Sequence, residues 1–226
     1  MTNVYKKYIN EHQDFPIVGV NYLDLNPLYK DGQLLKKLSE DCVRLVESFE
    51  FDYIGIIESR GFILGSIIAH QLGKGVVLLR SKKNRLPGKT HTVSHKLEYG
   101  ESIVQVQEGK GNVLIFDDVL ATGGTAKGSI EVLKKAGYTP TSALFLVELD
   151  FLNPKLDVPH KSLIFTHKFL LIRLGKSERL TPSNFPYNAK IIAFSSGGKI
   201  TVVGNPNLSQ VKTIIKKFFH LKLLIK

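Results

Sequence analysis

The chain is poor in cysteine and has no long apolar run. Cys42 is the only cysteine in 226 residues, so no disulfide can form within the chain. Every apolar run is much shorter than the roughly 20 residues that a membrane-spanning helix needs. Residues 1–14 are polar and mixed in charge, unlike a secretory signal. We therefore expect a cytoplasmic protein without a transmembrane segment.

The composition is that of a globular protein with an excess of positive charge. Hydrophobic residues make up 43% of the chain and charged residues 23%, and the net charge is +11. Such a charge fits either a nucleic-acid-binding protein or an enzyme that attracts a polyanionic small substrate. Because the basic residues are spread along the chain rather than gathered in one arm, we favour the substrate and consider nucleic acid unlikely.

Hydrophobic periodicity predicts helices that alternate with strands. Strands are expected at 53–57, 76–79, 102–106, 113–117 and 142–148, and helices at 33–49, 61–72 and 125–136. Residues 81–100 are polar and contain Pro87 and two glycines, which predicts a mobile excursion rather than core. The alternation predicts an α/β fold, in which a parallel sheet is flanked by helices and ligand-binding loops follow the strands.

The most informative segment is residues 113–125, which read VLIFDDVLATGGT. Four apolar residues predict a buried strand, and the carboxylates Asp117 and Asp118 follow it. A loop of small residues then opens a helix, where free N–H groups bind anions; it comprises Ala121, Thr122, Gly123, Gly124 and Thr125. Carboxylates accept hydrogen bonds from a diol. A sugar phosphate with a free diol satisfies both halves of the segment.

This segment resembles the phosphoribosyl pyrophosphate (PRPP) motif of the type I phosphoribosyltransferases. Further motifs follow the order found in the adenine phosphoribosyltransferase branch of that family: DFP at 14–16, ESRGF at 58–62, a basic stretch closed by LPG at 86–88, and LEYG at 97–100. The resemblance covers about residues 11–150. It implies a purine salvage enzyme that converts adenine and PRPP to AMP and pyrophosphate with Mg²⁺, by an oxocarbenium-like substitution at ribose C1.

The resemblance also implies roles for individual residues around PRPP. Asp117 and Asp118 would hold the ribose diol, and residues 121–125 the 5′-phosphate. Pyrophosphate would be bound by Ser59, Arg60, Arg80 and Arg85. Two alternatives stay open from the residues alone: Arg60 forms a surface ion pair with Glu58, and the basic loop is merely solvated. Mg²⁺ would be held mainly by substrate oxygens near the acidic pair rather than by protein side chains.

The remaining roles concern catalysis and the base. Glu98 would face purine N7 and Tyr99 would cover the pyrophosphate, so that Glu98, Tyr99 and Arg60 form the catalytic set. The base site would comprise Val20, Asn21, Tyr22, Leu23 and Leu149. Here the chain departs from the family pattern, with Val18 in place of a proline and Leu23 in place of an arginine. A 6-oxopurine phosphoribosyltransferase and a non-catalytic PRPP-sensing regulator therefore remain alternatives.

The last third of the chain falls outside the resemblance. We expect a phosphoribosyltransferase domain over residues 1–150, with a small N-terminal hood, and an extension over 151–226 with extra strands and a helix. Strands are predicted at 163–165 and 169–174, a hairpin with its turn at 195–198, and a basic amphipathic helix from Ser209. The extension packs on the same domain, binds an acidic partner or membrane surface, or is weakly ordered. Family members are usually dimers, which implies a homodimer.

Overall fold

The computed structural model describes residues 4–13, 15, 21–97, 100–166, 170–172, 195–196 and 199–202. The chain divides into two compact units. One comprises Met1–Glu148 and Pro154–Phe165, and the other Leu149–Asn153 and Thr166–Lys226. The assignment of residues 1–150 to a single functional domain stays a prediction.

The first unit begins with the predicted N-terminal hood, which contains a short antiparallel hairpin. A 3-10 turn at Lys6–Tyr8 precedes strands β1 (Asn10–Gln13) and β2 (Asn21–Asp24), which pair with each other, and helix α1 (Asn26–Lys30) follows. The rest of the unit comprises α2 (Gly32–Val46), β3 (Tyr53–Ile57), α3 (Gly61–Gln71), β4 (Gly75–Leu79), β5 (Thr90–Leu97), β6 (Gly100–Gln107), β7 (Gly111–Leu120), α4 (Gly124–Lys135), β8 (Tyr138–Glu148) and β9 (His160–Phe165).

A five-stranded parallel sheet forms the centre of this unit, as the alternation of helices and strands predicted. Its strand order is β4-β3-β7-β8-β9, and every neighbouring pair runs parallel. The loops that follow β3, β4 and β7 therefore meet at one edge of the sheet, where α/β proteins bind their ligands.

Both faces of the sheet are covered. Alternate strand residues face α3 on one side, where the backbone of Gly65 lies so close that a Cβ atom would be 2.8 Å from both Ile56 and Phe116. On the other side, Ile57, Val113 and Phe145 share one apolar cluster with α4 and the β5–β6 hairpin. The central strands of the sheet are therefore buried on both faces, as is typical of parallel sheets.

Two boundaries differ from the sequence-based expectation. Residues 90–97 form strand β5, which pairs with β6, and Val93 is 5% exposed in the core cluster; the predicted mobile excursion is therefore wrong for this half of the segment. Strand β7 continues through the acidic pair to Leu120, because it pairs with β8 up to the Leu120–Glu148 pair. Asp117 and Asp118 thus lie within β7, near its C-terminal end, and not in a loop after it.

In the second unit, β10 (Leu170–Ile172), β11 (Ser195–Ser196) and β12 (Lys199–Val202) form an antiparallel sheet in the order β10-β12-β11. The strand expected near 169–174 and the hairpin are confirmed, but Ser195 and Ser196 lie in a strand rather than a turn. The helix predicted from Ser209 falls outside the described residues. Within the described ranges, no helix is both long and apolar enough to cross a membrane.

Candidate active site

The acidic pair is held by the end of the central strand. Residues 113–116 of β7 are fully buried, which fixes the position of the carboxylates that follow. Asp118 is only 4% exposed, and its N–H donates to Asp117 Oδ1 at 2.9 Å. Asp117 shares a cavity with the loop that opens α4, whereas Asp118 pairs with Arg60.

The loop from Ala121 to Thr125 forms a cradle of backbone N–H groups. Gly123 has a φ of +86°, which favours glycine, and a Cβ atom there would lie 3.2 Å from Leu156. The first helical hydrogen bond of α4 runs from the Lys127 N–H to the Gly123 carbonyl at 2.9 Å, which leaves the preceding N–H groups for a ligand. The first turn of α4 contains no acidic residue and no side-chain cap. This helix end is therefore suited to an anion.

A cavity of about 170 Å³ joins the cradle to the first carboxylate of the acidic pair, Asp117. It is lined by Asp117, Val119, Leu120, Ala121, Thr122, Gly123, Gly124, Thr125, Ala126 and Phe145. The cavity thus combines the Asp117 carboxyl with backbone and hydroxyl donors, which are the groups expected to bind a sugar phosphate.

The two carboxyls differ in their electrostatic surroundings. Burial raises the pKa of Asp117, and the neighbouring Asp118 carboxylate raises it further. Burial also raises the pKa of Asp118, but the Arg60 guanidinium opposes this effect. Because Arg60 stabilises the charge on Asp118, we infer that Asp118 ionises before Asp117.

Arg60 links the hood to the acidic pair. Its Nε lies 2.5 Å from Asp118 Oδ2, its Nη1 donates to the Leu23 carbonyl at 3.1 Å, and its guanidinium stacks 4.9 Å from the Tyr22 ring centre. The alternative ion pair between Arg60 and Glu58 is not formed. Arg60 is thus held between Asp118 of the central strand and Leu23 of the hood.

The other predicted pyrophosphate ligands lie at the ends of β3 and β4. Glu58 accepts hydrogen bonds from the Ser81 N–H and hydroxyl at 2.8 and 3.2 Å, and Arg80 Nη2 lies 3.1 Å from Glu58 Oε1. Burial opposes the charge on Glu58, but these hydrogen bonds and the Arg80 charge outweigh it and lower the pKa of Glu58. Arg85 lies in an exposed loop, where its N–H donates to Gln105 Oε1 at 3.1 Å.

Ser59 and the basic loop occupy turns at the same edge. Ser59 lies two residues after the end of β3 and joins Glu58 through a cis peptide bond. Asn84, in the loop between Arg80 and Leu86, has a φ of +58°. Asparagine tolerates this left-handed conformation.

The predicted base site is described only in part. The Tyr22 ring contacts the Phe15 ring edge-on, with centroids 5.1 Å apart, and faces Arg60. The Leu23 side chain is buried, whereas Asn21 contributes a strand position in β2. Leu149 belongs to the second unit. Val20 and the predicted catalytic residues Glu98 and Tyr99 lie outside the described residues.

Several site residues were not predicted. Phe145 pairs in register with Asp117 and lines the cavity, and Gln105 anchors the basic loop. Tyr29 of α1 lies within electrostatic reach of both carboxyls and of Arg60. The strand predicted at 142–148 contains Phe145 and could have indicated it. No sequence motif marks Gln105 or Tyr29.

Known proteins resemble this chain in sequence and in structure. The phosphoribosyl transferase domain family matches residues 28–146. The adenine phosphoribosyltransferase of Prochlorococcus marinus strain NATL1A is 41% identical over 165 residues, which cover 71% of this chain and 95% of that protein. The chain belongs to the adenine phosphoribosyltransferase family. The fold class and the enzyme family that the motifs predicted are thereby confirmed.

Solved structures of adenine phosphoribosyltransferases agree with this assignment. The enzyme of Thermoanaerobacter pseudethanolicus has a TM-score of 0.67 at 34% identity and covers 72% of this chain and 98% of its own. The Saccharomyces cerevisiae enzyme, in complex with an imino-altritol bisphosphate and adenine, has a TM-score of 0.65 at 32% identity and covers 70% and 96%. These adenine phosphoribosyltransferases leave about 30% of the chain unmatched, in agreement with an extra region in this protein.

Proposed function

We propose that the protein transfers the phosphoribosyl group of PRPP to adenine and releases pyrophosphate. The observation that carries this proposal is the acidic pair at the end of β7 beside the N–H cradle of α4, in a chain of the adenine phosphoribosyltransferase family. Asp117 and Asp118 accept hydrogen bonds from the ribose diol, and the cradle from Ala121 to Thr125 holds the 5′-phosphate. Because the sugar is bound at its diol and at its phosphate, its C1 atom is held at a fixed position.

The leaving group requires positive charge. As ribose C1 gains oxocarbenium character, pyrophosphate departs, and the guanidiniums of Arg60, Arg80 and Arg85 with Ser59 stabilise it. For Arg60 and Arg80 this requires exchange of the present partners, Asp118 and Glu58. The oxygen ligands of Asp117 and Asp118, together with substrate oxygens, are of the kind that Mg²⁺ prefers, and Mg²⁺ would neutralise the charge that develops on pyrophosphate.

The base is activated from the opposite side. As the C1–O bond to pyrophosphate breaks, purine N9 bonds to ribose C1 and the Glu98 carboxylate accepts the proton that the base loses at N7, while Tyr99 covers the pyrophosphate so that water does not hydrolyse PRPP. The Tyr22 ring, already packed against Phe15, offers an apolar face to the base. Asn21 and Leu23 of the same strand supply backbone groups.

We also propose a homodimer, because α3 and β4 share an exposed apolar surface. Ile63, Val76 and Leu78 are 44%, 41% and 40% exposed. Val76 and Leu78 pair in register with Ile54 and Ile56 and so stand on the face of the sheet that α3 covers. Contiguous apolar surface of this kind is typical of protein interfaces. Sedimentation velocity should therefore give twice the monomer mass.

One assay tests the proposed reaction. The purified chain is incubated with PRPP, Mg²⁺ and adenine, hypoxanthine, guanine or xanthine in turn, and pyrophosphate release is measured. We expect turnover with adenine and at least about 100-fold less with the 6-oxopurines, because a site that reads one exocyclic group rejects another. Preferred turnover of a 6-oxopurine would contradict the base assignment, and PRPP binding without turnover of any base would indicate a regulator.

A further inference from the structure

The Glu58 carboxylate has donors on both of its oxygens at the end of β4. Its Oε2 accepts the Ser81 N–H at 2.8 Å and the Ser81 hydroxyl at 3.2 Å, and its Oε1 lies 3.1 Å from Arg80 Nη2. A backbone N–H, a hydroxyl and a guanidinium are also the donors that proteins use to bind phosphate oxygens. These three donors therefore form an anion site, which a carboxylate of the same chain occupies.

This anion site is accessible to a ligand. Ser81 is exposed, and the side chains of Glu58 and Arg80 are 18% and 22% exposed. Strand β4 ends at Leu79, so Ser81 lies two residues beyond it. The donors are therefore at the carboxyl edge of the sheet, where the loops after β3, β4 and β7 meet and where α/β proteins bind their ligands.

The donors of this site favour a strongly charged ligand. Burial opposes the charge on Glu58, but the hydrogen bonds from Ser81 and the charges of Arg80 and Arg85 outweigh it and lower the pKa of this carboxyl. A phosphoryl group carries more negative charge than a carboxylate and has a third acceptor oxygen. Glu58, in contrast, leaves the buried Arg80 Nε without a hydrogen-bond partner among the described residues. Pyrophosphate is therefore suited to replace Glu58 at these donors.

We propose that Ser81 binds pyrophosphate through its N–H and hydroxyl groups, and that Glu58 is a competing anion that occupies these donors until pyrophosphate displaces it. This inference rests on the proposed function, which brings pyrophosphate to this edge of the sheet. It adds Ser81, an uncharged residue of the basic loop, to the pyrophosphate ligands. It also gives Glu58 an effect opposite to that of a ligand, because a carboxylate at this position opposes the binding of an anion.

Calorimetry on the full-length chain with pyrophosphate as the probe tests both roles without requiring turnover. Ser81→Ala should weaken pyrophosphate binding about fivefold, which is the effect of one hydrogen bond. Glu58→Gln should strengthen it about threefold, because an amide carries no charge and releases Arg80 and Ser81 more easily. Ribose 5-phosphate is the second probe. Its affinity should not change in either variant, because its phosphate is assigned to the cradle of α4.

The opposite signs of the two changes distinguish this proposal from a purely structural role. If Glu58 only held Arg80 and Ser81 in place, Glu58→Gln would weaken pyrophosphate binding as well. The proposal is overturned if Glu58→Gln weakens pyrophosphate binding or leaves it unchanged, or if Ser81→Ala has no effect on it. It is also overturned if the wild type does not bind pyrophosphate, or if Ser81→Ala weakens both probes equally.

Ser48→Ala and Glu131→Gln are the matched controls. Ser48→Ala removes a hydroxyl that accepts from Lys161 Nζ at 2.9 Å beside the start of β9, and Glu131→Gln removes the pair with Lys135 on the last turn of α4. Both lie away from the carboxyl edge of the sheet, so neither should change pyrophosphate binding. Failure of the purine assay with the expected affinities would remove the proposed reaction and leave the role of Ser81 standing. Turnover of adenine with no effect of Ser81→Ala would remove the role of Ser81 alone.

Discussion

The cradle after β7 and the basic ends of β3 and β4 lie at the same sheet edge but are built in different ways. In the cradle, contiguous residues present backbone N–H groups and the Asp117 carboxyl to a cavity. At the ends of β3 and β4, the arginines are already paired with carboxylates, Arg80 with Glu58 and Arg60 with Asp118. Under the proposed function, the phosphate site would therefore be preformed, whereas the pyrophosphate site would exchange partners when PRPP binds.

Under the proposed function, this difference assigns substrate recognition to the cradle and stabilisation of the leaving group to the ends of β3 and β4. A preformed backbone site would bind the 5′-phosphate without reorganisation. The paired arginines would become available only when a ligand of higher negative charge replaces the carboxylates, so we expect the leaving-group site to respond to pyrophosphate and not to a simple sugar phosphate. Three substitutions test the two regions separately, beginning with the largest expected effect.

Asp117→Asn should reduce PRPP affinity on the order of 100-fold, because an amide at this position accepts a hydrogen bond from the diol less strongly than a carboxylate. It should also stabilise the fold at neutral pH. The pKa of Asp117 is raised in the folded state, so the wild type loses stability as the pH rises above the ordinary value of 3.8, and the amide does not. Calorimetry with PRPP and melting curves from pH 3 to pH 8 measure both effects.

Asp52→Asn is the control for this substitution. Asp52 accepts the Asn112 N–H at 2.7 Å at the opposite end of the sheet, so the same chemical change should leave PRPP binding intact. Equal losses in the two variants would show that the acidic pair has no special role.

Gly123→Ala should weaken PRPP about tenfold by distorting the cradle. The new methyl group would meet Leu156 at 3.2 Å, and the φ of +86° strains any residue with a Cβ atom. Gly73→Ala is the control for backbone strain without an effect on PRPP binding. Gly73 has a φ of +62° and no atom near its Cβ position, and it lies after α3, away from the site. Both substitutions should lower the free energy of unfolding by about 1 kcal/mol. Both variants should therefore melt at a lower temperature than the wild type. Unchanged PRPP affinity in Gly123→Ala would refute a backbone cradle.

Glu58→Gln should have the smallest effect, a fall of about 2–4 °C in melting temperature at neutral pH. The pKa of Glu58 is lowered in the folded state, so its stabilising contribution is present above the ordinary value of 4.5 and is lost as the pH falls. Wild type and variant should therefore converge in acid. Glu131→Gln is the control: it removes an exposed pair with Lys135 on α4 and should change the melting temperature less than Glu58→Gln does. Parallel melting curves for Glu58→Gln and the wild type would mean that the Arg80 pair is not formed.

The difference between contiguous residues and residues distant in sequence also determines how much of the site the sequence could predict. The acidic pair and the cradle are contiguous, so the segment 113–125 indicated their chemistry, and strand alternation indicated the sheet that supports them. The partners of Arg60 could not be predicted, because Leu23 and Asp118 lie far from it in sequence and meet only through the register of β3 and β7 with the hood. Strand β5 was missed because polar residues hide its alternation; among the side chains that the structure describes in this strand, Val93 is the one in the core cluster.

The central claim is that one turn, from β7 to α4, holds a pentose by its diol and its phosphate at once. A crystal structure of the protein with ribose 5-phosphate tests it most directly. We predict the two hydroxyls within hydrogen-bond distance of the Asp117 and Asp118 carboxylates and the phosphate on the N–H groups between Ala121 and Thr125. A sugar phosphate bound elsewhere, or bound there with its phosphate on the arginines of β3 and β4, would contradict the account.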